Sequence, residues 1–150
     1  MPAITAALAG LPVHVITVND YLAERDAKFL SPLYAFFGLR VGAVVNGLVK
    51  AQRRSVYAGD VTYVSNKELA FDYLRDRAAL GDRASPMHLA VESLREGTAR
   101  ADAIVLRGLV FGLVDEADSV FIDEARTPLI LSTSGGRDAQ RGDRDLALGI

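Results

Sequence analysis

Cysteine is absent from the 150 residues. That absence excludes disulfide staples, Cys-based zinc sites and thiol catalysis together, and it is compatible with a reducing compartment. No apolar run is long enough to cross a bilayer, which takes about 20 residues. The most apolar stretch, Ile104 to Val114, is interrupted by Arg107. The apolar opening from Met1 to Ala9 has no basic residue before it, so it lacks the charged start of a signal peptide and reads as the end of a buried helix. Charge of one sign is also missing. With 17 basic and 19 acidic residues the formal charge is -2, and bulk electrostatics give no reason to expect nucleic-acid binding.

What is present suits a folded domain. Half of the residues are hydrophobic and about a quarter are charged, the balance of a globular chain of one-domain size. The β-branched run from Pro12 to Val18 reads as a strand that stops at Asn19-Asp20, where a helix is capped. Tyr21, Leu22, Phe29, Leu30, Leu33, Phe36 and Phe37 then recur at helical spacing as a core-facing stripe. Pro32 is expected to interrupt or restart this helix, with Ser31 capping a fresh turn, and Gly38 to end it. Val41 to Val45 predicts a second strand, Lys50 to Ala58 a polar helix and Val61 to Val64 a third strand. Ser65-Asn66-Lys67-Glu68 matches a capping box opening a helix to about Leu80 that carries Leu69, Phe71, Tyr73 and Leu74. A further amphipathic segment is expected from Pro86 to about Arg100, and Leu106 to Val114 reads as a central strand covered on both faces.

Strands alternating with helices predict an α/β fold, a parallel sheet with helices on both faces. Ligands of such sheets bind outside the carboxyl ends of the strands, so the chemistry belongs at Thr17 to Asp20, Ser65 to Glu68 and Asp115 to Asp118. After Leu131 the composition turns to Ser, Thr and Gly and then to alternating Arg and Asp, the signature of a linker or disordered tail over 132–150.

The densest chemical signal is Asp115-Glu116-Ala117-Asp118, at the end of the most apolar strand. A carboxylate at a strand end can hold Mg²⁺, mostly through water, because a hard cation prefers oxygen ligands and keeps much of its hydration. The neighbouring carboxylate can orient or deprotonate the water that attacks a γ-phosphate. The bland alternative is that these acids only oppose the dipole of a following helix.

The run Asp115-Glu116-Ala117-Asp118-Ser119-Val120-Phe121-Ile122-Asp123-Glu124-Ala125-Arg126-Thr127-Pro128 resembles the signature around the Walker B motif of SecA, the motor ATPase of bacterial protein export. Two more stretches, Val13 to Asp26 and Asn66 to Asp76, resemble the same family in the right order. The resemblance implies part of the first nucleotide-binding domain of a helicase-like motor, spanning 1–131 with an inserted helical segment at about 82–103. It implies ATP and Mg²⁺ as cofactors. The implied partners are preprotein, the SecYEG channel and the remaining SecA domains, in a cytoplasmic protein that is peripheral at the inner membrane. Asp115 would be the Mg²⁺-associated acid and Glu116 the catalytic base. Asp118 would link the nucleotide site to the rest of the motor, and Arg126 is available for a charged contact to a neighbouring lobe.

Departures from the family pattern shape the expected activity. No G-x-x-x-x-G-K-[ST] occurs anywhere in the sequence, and the second lobe that supplies the family's arginine finger has no counterpart here. Each charge-assisted hydrogen bond of a phosphate loop is worth about 1.5–3 kcal/mol, so losing two weakens ATP binding by about two decades or more. This chain alone is therefore expected neither to bind ATP tightly nor to hydrolyse it. Lys67 stands where the family usually has a second Asn. The stretch Arg77 to Leu106 is longer than in housekeeping SecA proteins, which suggests a divergent paralogue.

Two other functions compete with the motor. One is a truncated, noncatalytic interaction module. The other is the first lobe of a DEAD-box RNA helicase, whose Asp-Glu-Ala-Asp is identical at 115–118 but whose pattern does not include Asp123 to Pro128. His14 and His88 suggest neither a triad nor a metal site. The aromatics Tyr21, Tyr34, Phe36, Phe37 and Tyr73 are assigned to the core, and Arg53-Arg54 to a solvated face.

Overall fold

The β-branched runs do become strands, and they lie side by side. In a computed structural model, which describes residues 1–80 and 104–123, Val13–Thr17 (β1), Val41–Val44 (β2), Val61–Ser65 (β3) and Phe111–Val114 (β4) form one sheet. The strand order is β2-β3-β1-β4 and every pairing is parallel. Helix Pro2–Leu8 (α1) precedes β1, helices Asp20–Phe36 (α2), Lys50–Tyr57 (α3) and Asn66–Leu80 (α4) lie between successive strands, and a π-helical turn, Ser119–Asp123, follows β4. The α/β class read from the alternation of periods is the class observed.

Strand residues alternate between two layers because successive side chains leave a sheet on opposite faces. Val13, Val61 and Tyr63 pack with Ala3, Ile4 and Ala7 of α1 and Ala23, Ala27 and Tyr34 of α2. On the opposite face Val44 and Val64 pack with Tyr57 of α3, Leu69 of α4 and the incoming Val105 and Leu106. Asn19 caps α2 as its composition requires, its side-chain oxygen accepting the Leu22 N–H at 2.9 Å.

Several expectations are overturned. α2 runs unbroken from Asp20 to Phe36 through Pro32. Pro32 is exposed, so the Lys28 carbonyl deprived of its i+4 donor faces water rather than a dry core. The apolar stripe of that helix is its core face only in part, with Leu30 packed against the core. Tyr21, Phe29 and Phe36 are 71%, 80% and 82% exposed, while the buried positions are Ala23, Ala27 and Tyr34, because small residues let the helix sit close to the sheet. Tyr73 and Leu74 on α4 are likewise exposed, and Asp72 and Asp76 are buried in their stead. The expected capping box does not form as such. The Ser65 hydroxyl donates to Asp20 at 2.5 Å and the Glu68 carboxylate takes a hydrogen bond from Arg53, so both side chains are claimed by tertiary partners.

β4 is also shorter than the apolar run, Phe111–Val114 rather than Leu106 to Val114, and it is an outer strand of the sheet formed by the described residues. The first part of that run approaches as irregular chain, held by Asp76 rather than by a ladder: the Val105 and Leu106 N–H groups donate to its carboxylate at 3.0 and 2.8 Å. The predicted segment Pro86 to Arg100 and the tail at 132–150 lie outside the described residues.

Candidate functional site

Parallel pairing brings the three suspected stretches to one edge. Thr17 is in register with Ser65, and Ile16 with Val114, so the residues that follow β1, β3 and β4 emerge together at the carboxyl end of the sheet. The Asp115 N–H donates to the Ile16 carbonyl at 2.8 Å, which carries the β1–β4 ladder one residue beyond the strand. Asp20 gathers the neighbouring ends. Its carboxylate accepts the Ser65 hydroxyl at 2.5 Å and the Asn46 N–H, from the turn after β2, at 2.7 Å.

The carboxylate cluster stands open at this edge. Asp115, Glu116 and Asp118 are all exposed, and one Asp115 oxygen accepts the Glu116 N–H at 3.1 Å. Glu116 has φ +54°, the left-handed region, and is the one non-glycine residue with positive φ among the described residues. An L-residue pays about 1–2 kcal/mol for that conformation because its Cβ crowds the following carbonyl oxygen. Such outliers gather at functional sites, where the surrounding structure over-determines them. Here the Glu116 carbonyl is held by the Val120 N–H at 3.1 Å, and Val120 is buried, so the turn is anchored below while its acids face water. Among the described residues no three His, Asp or Glu side chains come together as a metal cage. From the described residues a cation at Asp115 would find few ligands besides that carboxylate, and Mg²⁺ ordinarily completes its shell with water or phosphate oxygens.

Behind the edge lies a buried ionic network that the sequence reading missed. Arg53 is 7% exposed, not solvated. Its guanidinium donates to Asp72 at 2.9 Å, to Glu68, and to the Leu48 and Val45 carbonyls at 3.1 and 3.3 Å. The Tyr57 hydroxyl donates to the same Asp72 oxygen at 2.9 Å, and Arg75 reaches the other oxygen at 3.0 Å. Burial, reinforced by the Asp72 charge, pushes the Tyr57 hydroxyl far above its usual range and keeps it a donor. Desolvation works against the Arg53 charge, but the hydrogen bonds to Glu68 and Asp72 outweigh it and raise its pKa. The signal was in the spacing: Arg53 with Tyr57, and Asp72 with Asp76, are i,i+4 pairs, each on one face of its helix. This network locks α3, α4 and the turn after β2 together behind the carboxyl edge.

A family model described as the SecA DEAD-like domain matches residues 1–146. The chain belongs to the SecA DEAD-like domain family. Among its relatives are a protein translocase subunit SecA 2 from Bordetella avium (strain 197N), 57% identical over 138 residues, which are 92% of this chain and 21% of the relative. Another SecA 2, from Nitrosospira multiformis, is 58% identical over 134 residues, 89% of this chain and 20% of that protein. A SecA from Heliobacterium modesticaldum is 43% identical over 141 residues, 94% of this chain and 14% of that protein. The chain thus spans about a fifth or less of the length of these curated relatives.

Within this SecA DEAD-like domain the predicted site residues divide. Asp115, Glu116 and Asp118 share one exposed turn, as their adjacency required. Arg126 lies outside the described residues. Family membership places the Asp-Glu-Ala-Asp run with SecA rather than with the RNA helicases that share those letters. Asp20, within the SecA-like stretch Val13 to Asp26, meets Ser65, the residue just before the stretch Asn66 to Asp76, and the pairing of β1 with β3 brings the two together.

Proposed function

We propose that this chain is the carboxylate-bearing part of an ATP-driven motor lobe that moves unfolded preproteins through the SecYEG channel. The observation that carries the reading is the Asp115–Glu116 turn, two exposed acids at the carboxyl edge of a parallel sheet with Glu116 held in a left-handed conformation. SecA-family membership supplies the polypeptide-moving context.

In this reading Asp115 would hold Mg²⁺, mostly through water, and Glu116 would serve as the base for the attacking water. The exposed oxygen donors of Asp115 suit a hard cation, and bound Mg²⁺ would offset charge on the phosphate oxygens. Asp118 relays the state of the edge to the rest of the motor, and Arg126 contacts a neighbouring lobe. The ATP phosphates need a glycine-rich cradle, and no such motif occurs in the sequence. Acting by itself, the chain is not expected to turn over nucleotide. The longer motor is a cytoplasmic protein that works at the membrane face. No described helix is long and apolar enough to cross a bilayer.

The test joins this chain to the phosphate-loop segment and second lobe of a SecA relative and measures ATP turnover. General-base loss predicts that Glu116→Gln lowers turnover by about 10²–10⁴-fold while nucleotide binding is retained. Unchanged turnover would remove Glu116 from the base role.

A further inference from the structure

Among the described residues β2 forms the margin of the sheet opposite β4 and pairs with β3 alone. The backbone of Arg40, just before it, faces β3 and its approach: its N–H donates to Asp60 at 2.7 Å and its carbonyl accepts the Val61 N–H at 3.1 Å. In a parallel ladder alternate residues bond to the same neighbour, so Gly42 and Val44 also face β3. The N–H and carbonyl groups of Val41 and Ala43 therefore point outward. They open on a groove of about 420 Å³ lined by Val41, Ala43, Val45 and Ala27, with Glu24 and Lys28 of α2 on its wall. Those two charges are bonded to each other at 2.8 Å, so the wall makes no net electrostatic demand.

Exposed edges are ordinarily blunted by proline, a bulge or an inward-pointing charge. Val41-Gly42-Ala43-Val44 has no proline and no charged side chain, and its register with β3 is unbroken. We infer that this margin takes up an extended, uncharged segment of another polypeptide as a fifth strand of the sheet. The open groups specify that occupant. A donor and an acceptor recur at every second residue, a repeat that an extended main chain matches in full. The small side chains and neutral wall leave selection to the backbone, so beyond its lack of charge the occupant is recognised with little regard to its sequence. This surface is separate from the Asp115 turn and would operate even if the chain never met ATP.

The experiment uses the full chain and a synthetic peptide, acetyl-Thr-Val-Thr-Val-Thr-amide, beside its fully N-methylated counterpart. Amide exchange and chemical shifts are followed residue by residue. Without peptide, the Val41 and Ala43 amides should exchange quickly. At saturation they should slow by about tenfold or more, as amides do when they enter a ladder. The N-methylated peptide, which keeps the side chains and loses the donors, should not bind. Ala43→Pro removes an outward N–H without touching the β3 ladder, and should weaken binding by about tenfold. Should that variant not fold, the two peptides on the unmodified chain decide the matter alone. The inference is overturned if the unmethylated peptide does not bind at millimolar concentration or if both peptides bind equally. It is also overturned if protection centres on the Phe29 and Phe36 face of α2. Protection that grows with protein concentration in the absence of peptide would assign the edge to a second copy and overturn it as well.

Discussion

Replacing Arg53 by methionine should be among the most damaging single changes in this domain. Asp72 is 1% exposed and Glu68 12% exposed at the side chain, and Arg53 is the buried cation that faces both. Removing one partner of a buried ion pair costs about 3–5 kcal/mol, because the remaining carboxylates keep their desolvation penalty without compensation. The Leu48 and Val45 carbonyls also lose a donor, each at about 1 kcal/mol before water re-enters. Arg75 compensates little. Its side chain is 53% exposed, and such a pair contributes about 0–1 kcal/mol. A loss of about 4–7 kcal/mol follows, a large share of the 5–15 kcal/mol that ordinarily holds a domain. The assay is urea unfolding followed by circular dichroism, run on Arg53→Met, Asp72→Asn and the double variant. Neutralising Asp72 in the Arg53→Met background should recover part of the deficit, so the two single losses should exceed the double loss by about 2 kcal/mol. A cost under about 1 kcal/mol for Arg53→Met, or strict additivity, would refute the network as a structural lock.

Other expectations concern single groups. Burial holds the His14 pKa below its ordinary 6.5, with a further push from Arg107 against an opposing backbone hydrogen bond at Phe111. The folded state thus favours the neutral ring: its stabilising contribution is present above pH 6.5 and is lost as pH falls through the lowered value, a slope that His14→Gln should flatten in unfolding titrations. Asp76 behaves oppositely. Burial raises its pKa above 3.8, although the Leu106 and Val105 N–H groups work against that rise, so its contribution is present below pH 3.8 and fades as pH climbs through the raised value. Asp76→Asn should abolish that acid-side slope while weakening the hold on the chain entering β4, visible as faster amide exchange at Val105 and Leu106. Glu116→Gly should raise stability by about 1 kcal/mol, since glycine adopts positive φ freely. A destabilised Glu116→Gly protein would mean that the left-handed turn is not strained.

Local signals were legible where one residue type answers one local need. Asn19 was readable as a cap because its side chain closes on its own helix, and the Asp115–Glu116 turn because an apolar strand runs straight into it. Reading failed where the deciding partner is distant in sequence. Ser65 and Glu68 fit a capping box, yet Asp20 lies 45 residues from Ser65 and Arg53 lies 15 residues from Glu68, and these charge-assisted partners prevailed. The aromatic stripe of α2 misled for a related reason. Large apolar residues at helical spacing mark a face, but which face meets a sheet depends on how closely the backbones must approach, and there Ala23 and Ala27 fit where Phe29 does not.

The order of elements, the parallel α/β class and the placing of acids at a strand end were determined by sequence alone, through periodicity and through residues whose partners lie within a turn or two. Only the tertiary structure decided which strands are outer, which face of α2 is buried, that Arg53 and Asp72 are interior, and that Asp20 binds the ends of three strands together. Burial and long-range pairing are properties of the packed layers. A charge at 53 cannot be told from a solvated one until a carboxylate at 72 is brought against it and water is excluded from both.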